Sequence, residues 1–318
     1  MGYLATIERM CLIGHLVAMA FGLSGLLWVM PHPELLQYIP AGTQLFQWSM
    51  ATGGVFYILL GAITVALHTY RTLGLRVLLS FFVPAVIISL SSELLGTSTG
   101  FPFGHYSYLS GLGYKVAGLV PITIPLSWFY LGLSAYLLAR SGCMGLGRVG
   151  LPDRLMTLSG VILGATLLTS WDFVLDPAMS QTAMPFWYWH QPGDFFGMPY
   201  QNFIGWLGTG TLFMAVAALI WTRYPQTANL TQLQLRQPLI IYLANVSFAT
   251  VMSVSAGIYI PVLLGLALGA LPAILCWKAC PTRSNPLSDS GDPLPLSTIP
   301  SSIARSLAQW VSLPNDAY

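Results

Sequence analysis

Long apolar runs, interrupted by short polar or glycine- and proline-rich stretches, organise the chain from Arg9 to Trp277. A helix needs about 20 apolar residues to cross a hydrocarbon layer roughly 30 Å thick. On that template, helices are predicted near 10–30, 46–67, 73–95, 118–139, 155–176, 200–222, 238–256 and 258–277. The stretch from Pro238 to Trp277 is too long for one span, and Ala256-Gly257 offers only a tight turn between two, so seven spans is the alternative count. The run after Arg9 exceeds a signal-peptide core and shows no small-residue cleavage site, so it is expected to remain as an uncleaved first span. The pattern predicts an all-α, polytopic transmembrane bundle over 1–279. From Cys280 the chain turns to Ser, Pro and Asp, which predicts a disordered cytoplasmic tail over 280–318. A short amphipathic stretch near Ile303–Val311 within it is suited to touching the membrane.

Composition agrees with that pattern. Mean hydropathy is +0.69 and only 7% of residues are charged, against roughly 25% in a soluble domain. The sparse basic residues form no run, which argues against a nucleic-acid partner. Cys11, Cys143, Cys276 and Cys280 match no zinc spacing and read as inert thiols. Basic residues concentrate in cytoplasmic loops. Arg9, Arg71, Arg76, Arg140, Arg148, Arg154, Arg223, Arg236, Lys278, Arg283 and Arg305 fall on one side of the eight-span arrangement, leaving Lys115 opposite. Both termini are therefore expected to be cytoplasmic.

Four acids land on the other side: Glu93, Asp172, Asp176 and Asp194. Ionisable groups within spans are rare and usually functional. Asp172 and Asp176 are one helical turn apart and share a face. Two carboxylates so placed in a low dielectric do not both ionise easily, so one is expected to keep its proton and serve as a general acid. Pro177 predicts that the helix ends at Asp176. Glu93 follows Ser89, Ser91 and Ser92, whose hydroxyls are its expected hydrogen-bonding partners, directly or through water. Asp194, in Gln191-Pro-Gly-Asp194, reads as a turn residue. His105 and His190 have no metal-ligand spacing, and no metal is expected. Trp187 and Trp189 read first as interfacial belt residues and second as walls of a slot for an elongated ligand. Asn202, just inside the sixth span, is a buried amide suited to orienting water.

A faint internal echo accompanies the acids. Spans three and five both end in acid, each is followed by a Phe-Gly loop (Phe103-Gly104, Phe196-Gly197), and each next span opens with Pro-x6-Trp (Pro121 to Trp128, Pro199 to Trp206). Two halves of one topology would suit a pseudo-twofold axis along the membrane normal; coincidence is the rival reading.

Taken in order, Glu93-x2-Gly96, Gly100-Phe-Pro-Phe-Gly-x-Tyr106-x-Tyr108, Pro121-x6-Trp128, Asp172-x3-Asp176-Pro177, Trp187-x-Trp189 and Phe196-Gly-Met-Pro199-x2-Asn202-Phe-x-Gly-Trp206 resemble the carotenoid 1',2'-hydratase family of the CruF type. The similarity covers roughly 45–280. It implies a bacterial plasma or internal membrane, and addition of water to the terminal double bond of an acyclic carotenoid end, such as that of γ-carotene or lycopene. It also implies a hydro-lyase without redox cofactor, with a carotenoid glycosyltransferase as an expected downstream partner. Protonating C2' puts positive charge on the tertiary C1' carbon, where water adds. The chemistry then asks for an acid, expected to be Asp172 or Glu93 with Asp176 tuning it. Tyr106, Asn202 and a remaining carboxylate would hold the water, Trp128 and Trp206 would flank the cation, and Phe103 and His105 would complete the substrate contacts.

Other readings stay open. A membrane carotenoid cyclase begins with the same protonation but traps the cation with an internal double bond. A transporter would also explain intramembrane acids. A prenyltransferase needs a second Asp-rich motif and more basic residues than Lys115 on that side, and a retinal protein needs a mid-span lysine; both fit poorly.

Overall fold

The computed structural model describes residues 2–146, 152–181, 185–227 and 229–282. Eight membrane-length helical segments run through them: α1 (Gly2–Ser24, continued by a π turn at Gly25–Val29), α2 (Gly42–Leu73), α3 (Leu75–Thr99), α4 (Thr123–Leu146), α5 (Asp153–Ser180), α6 (Tyr200–Trp221), α7 (Gln232–Ser255), and α8 (Tyr259–Gly265) continuing through a π turn at Leu266–Ala270 into α9 (Leu271–Ala279). The eighth span is α8 and α9 taken together, and the chain is an all-α, multi-pass membrane protein. The tail expected over 280–318, with Arg283, Arg305 and the amphipathic stretch, lies almost wholly outside the described residues, as does Arg148.

Seven of the eight segments are long and apolar enough to span by composition among the described residues; α4 is the exception. Its surroundings account for that. Between Thr123 and Cys143 nearly every residue is buried, including Ser127, Tyr130, Ser134, Tyr136, Arg140 and Ser141. Helix α4 packs against α2, α3, α5, α7 and α9 and so meets protein rather than lipid. A helix enclosed by protein can carry polar groups if they find partners: within α4 Ser134 donates to Tyr130 O at 2.7 Å, and across to α7 Tyr130 donates to Asn245 Oδ1 at 3.0 Å.

The boundaries depart from expectation where local chemistry outweighs hydropathy. Residues 118–122 are not helical: β2 (Lys115–Val116) and β3 (Val120–Pro121) form a small antiparallel turn around Gly118, whose φ of 72° suits glycine. Helix α7 starts six residues before Pro238, because Thr231 and Gln234 form a reciprocal capping box. Helix α5 does not stop at Asp176 but continues through Pro177 to Ser180. Proline removes one N–H and disfavours helix at the preceding residue, yet tertiary packing overrides it here, and Ser180 Oγ donates to the Asp176 carbonyl at 2.8 Å.

The start of α1, the end of α2, the start of α7 and the end of α9 meet at one end of the bundle. Arg71 pairs with Glu8, His68 Nδ1 lies 3.0 Å from Glu8 Oε1, and His68 Nε2 lies 2.8 Å from Gln234 O. Gln232 Nε2 donates to Cys280 O at 3.0 Å. Glu93, Asp172 and Asp176 lie towards the opposite ends of α3 and α5. There β1 (Tyr106–Tyr108) pairs antiparallel with β4 (Trp187–Trp189), joining two loops distant in sequence.

Candidate active site

Strand geometry builds the cover of the site. Alternate residues of a strand face the same way, so Tyr106, Tyr108, Trp187 and Trp189 turn inwards while Ser107 and the exposed Tyr188 face out. The inward four reach the acids. Tyr106 Oη and Tyr108 Oη both donate to Glu93 Oε2, the latter at 2.9 Å, and Trp128 Nε1 donates to Glu93 Oε1 at 2.9 Å. Trp187 Nε1 and Trp189 Nε1 donate to Asp176 Oδ1 at 2.8 and 3.0 Å. Burial, and then the charge of Glu93, push both phenols well above their ordinary value, so they stay protonated donors at neutral pH.

Asn202 of α6 ties the two aspartates together. Its Nδ2 donates to Asp172 Oδ2 at 2.8 Å and to Asp176 Oδ2 at 3.1 Å. Two accepting carboxyl oxygens fix which way the amide points. Glu93, Asp172 and Asp176 are each 3% exposed. They line one cavity of about 70 Å³ with Tyr57, Phe103, Tyr106, Tyr108, Trp128 and Asn202. That is room for a few waters or the tip of a larger molecule. Among the described residues lining it there is no Lys, Arg or His. Three buried carboxylates are therefore held by phenol, indole and amide donors rather than by cations.

Two close approaches explain the glycines of the motifs. Phe103 is wedged between α3 and α6: a Cβ on Gly96 would sit 2.7 Å from the Phe103 ring, and one on Gly205 would meet the same ring and lie 3.0 Å from Pro102 O. Only glycine at both positions lets that aromatic side chain fill the gap beneath the sheet.

Most sequence candidates converge. Asp172, Glu93, Asp176, Tyr106, Trp128, Asn202, Trp206 and Phe103 all line the cavity. His105 does not; it is exposed, and its main chain holds Gln191 and His190. Asp194 is exposed in a turn, as expected. Several expected roles change. The serines preceding Glu93 do not supply its hydrogen bonds, since Ser89 Oγ donates to Val86 O. Asn202 turns its amide nitrogen to the two aspartates and to Met198 Sδ, so any water it orients must meet its carbonyl oxygen. Trp128 and Trp206 stack on each other with centroids 3.9 Å apart and an interplanar angle of 17°. They cannot sandwich a third group and instead form one composite wall. Trp187 and Trp189 are carboxylate ligands rather than belt residues. Tyr108 and Trp171 were not singled out as site residues, yet both line the cavity. The alternations Tyr106-x-Tyr108 and Trp187-x-Trp189 were the available signal for two half-buried strands.

Known proteins complete the picture. A family model described as "Carotenoid biosynthesis protein" matches residues 53–272, which include every cavity-lining acid. The chain belongs to the carotenoid biosynthesis protein family. Within this carotenoid biosynthesis protein, 130 residues are 36% identical to the bisanhydrobacterioruberin hydratase of Haloarcula japonica, a stretch covering 41% of each chain. The match thus spans well under half of that relative. No solved structure matches this carotenoid biosynthesis protein.

Proposed function

We propose that this protein hydrates the terminal 1',2' double bond of an acyclic carotenoid end, of the kind found in γ-carotene and lycopene. The observation that carries this reading is the cation-free chamber, in which three buried carboxylates are held by neutral donors against aromatic walls. A relative that is a hydratase supports the reaction class.

Hydrogen bonding divides the work among the acids. Both oxygens of Glu93 and both of Asp176 accept hydrogen bonds, an arrangement that suits the anion. Among the described residues Asp172 accepts from Asn202 alone, at Oδ2, leaving Oδ1 able to carry a proton. Asp172 therefore donates that proton to C2', and the electron pair of the double bond forms the new C–H bond. Positive charge develops at C1', stabilised by the Glu93 and Asp176 carboxylates and by the faces of the Trp128–Trp206 pair and Trp171. Water oriented by the Asn202 carbonyl and a carboxylate oxygen adds to C1'. The added water then loses a proton, which restores Asp172. The sum is alkene plus water to tertiary alcohol, with no change of oxidation state overall and no cofactor in the balance.

Mass analysis after expression in a carotenoid-accumulating bacterial host tests the proposal. Hydration makes the pigment heavier by one water, whereas cyclisation leaves its mass unchanged. Unaltered pigment in cells with confirmed membrane expression would overturn the reading.

A further inference from the structure

The chamber lies directly beside a larger hollow. Tyr57, Leu112, Leu175 and Trp187 line both the acid cavity and a neighbouring space of about 320 Å³. That volume is typical of a small-molecule site. It follows the facing surfaces of α1 and α2, with Phe248 of α7 and Phe186 beside β4 on its inner side. Among the described residues that line it none is charged. Along α1 and the π turn that continues it the lining runs from Gly14 to Leu26, about 18 Å of helix at about 1.5 Å per residue. Phe21, Trp48 and Phe56 at its margin are 48%, 53% and 47% exposed, so the groove opens outwards from the bundle. Gly22 and Gly25 face open space: a Cβ on either would meet nothing within 4 Å. The apolar wall is therefore smooth where it faces an occupant.

We propose that this groove binds the long, flat isoprenoid chain of the substrate, and that α1 determines which chains fit. The inference rests on the hydratase reading for the identity of the reacting end. A terminal double bond delivered past Tyr57, Leu112, Leu175 and Trp187 arrives at the carboxylates, while the rest of the polyene lies along α1 and α2. The four lining residues shared with the acid chamber single out a substrate chain over a lipid acyl chain, which has no reason to end beside three carboxylates. Helix α1 lies outside residues 53–272 that match the family. Its glycines therefore give this chain a selectivity that the family-matched segment does not supply.

The test uses the full-length protein purified in detergent with lycopene as the probe. The variants are G22L/G25L, Val17→Trp and, as control, Gly208→Leu. Val17 lines the groove and is 61% exposed, so its replacement leaves the core untouched. Gly208 on α6 has open space and lines neither cavity. Bound lycopene, read from its visible absorbance, is expected to fall at least tenfold in G22L/G25L and in Val17→Trp, with the control at wild-type level. Asp172→Asn should bind lycopene normally without converting it. Wild-type binding and product in both groove variants would overturn the groove assignment while leaving the hydratase reading intact. Groove-dependent binding without hydrated product in any variant would uphold the groove and overturn the hydratase reading. Unchanged lycopene with loss of co-purifying phospholipid would assign the groove to lipid and overturn the proposal.

Discussion

Buried acids occur at both ends of the bundle, and the two ends treat them differently. At the end where α1, α2 and α7 meet, Glu8 is 7% exposed and answered by a cation, Arg71, and by His68. At the other, Glu93, Asp172 and Asp176 are each 3% exposed and, among the described residues, answered by phenol, indole and amide donors alone. An acid neutralised by a base fastens helices together, and its charge is spent. Acids held by neutral donors are not spent on a counter-ion and stay available, as anion or as proton donor, to whatever enters the cavity between them. Burying such groups without counter-ions costs stability, a cost that proteins bear mainly where charge is used.

The largest effect should come from Asp172. Asp172→Asn removes the proposed proton donor but keeps the shape, so hydrated carotenoid is expected to drop by about 10³-fold at unchanged expression, measured by mass and absorbance of extracted pigment. Near-normal product would move the donor role elsewhere in the chamber. Glu93→Gln should cost less, about 10²-fold in turnover, because it removes one anion facing the cation while its amide oxygen can still accept from the sheet.

Trp187→Phe and Trp189→Phe each delete one donor to Asp176, worth about 1–3 kcal/mol for a buried charged acceptor. Each should lower turnover by roughly ten- to a hundredfold. The losses should not add to that of Asp176→Asn in a double-mutant comparison; additive losses would mean that the indoles act through packing alone. At the opposite end, Glu8→Gln is expected to destabilise by about 1–2 kcal/mol, since Arg71 is partly exposed and can be resolvated. Turnover per folded molecule should not change, and a loss larger than that of Trp187→Phe would erase the distinction between the two ends. Asp194→Ala should be nearly silent, within about 0.5 kcal/mol by thermal unfolding in detergent.

Hydropathy and spacing were enough to place eight helical segments and to nominate Asp172, Glu93 and Asp176. Those features are local, because a span must be apolar along its own length and an intramembrane acid stands out against its own neighbours. What sequence could not assign was partnership. The donors to Glu93 come from a strand 13 and 15 residues later and from α4, not from the serines beside it. The roles of Trp187 and Trp189 depend on pairing with Tyr106–Tyr108, about 80 residues earlier in the chain, and a three-residue strand leaves almost no local signal. Likewise α4 could not be recognised as the enclosed central helix from its own composition, since enclosure is a property of its neighbours. The chain by itself determined which groups would be unusual in a membrane. Tertiary structure decided which of them are neutralised by bases and which are held by neutral donors, because hydrogen bonding and burial are settled only when distant segments meet.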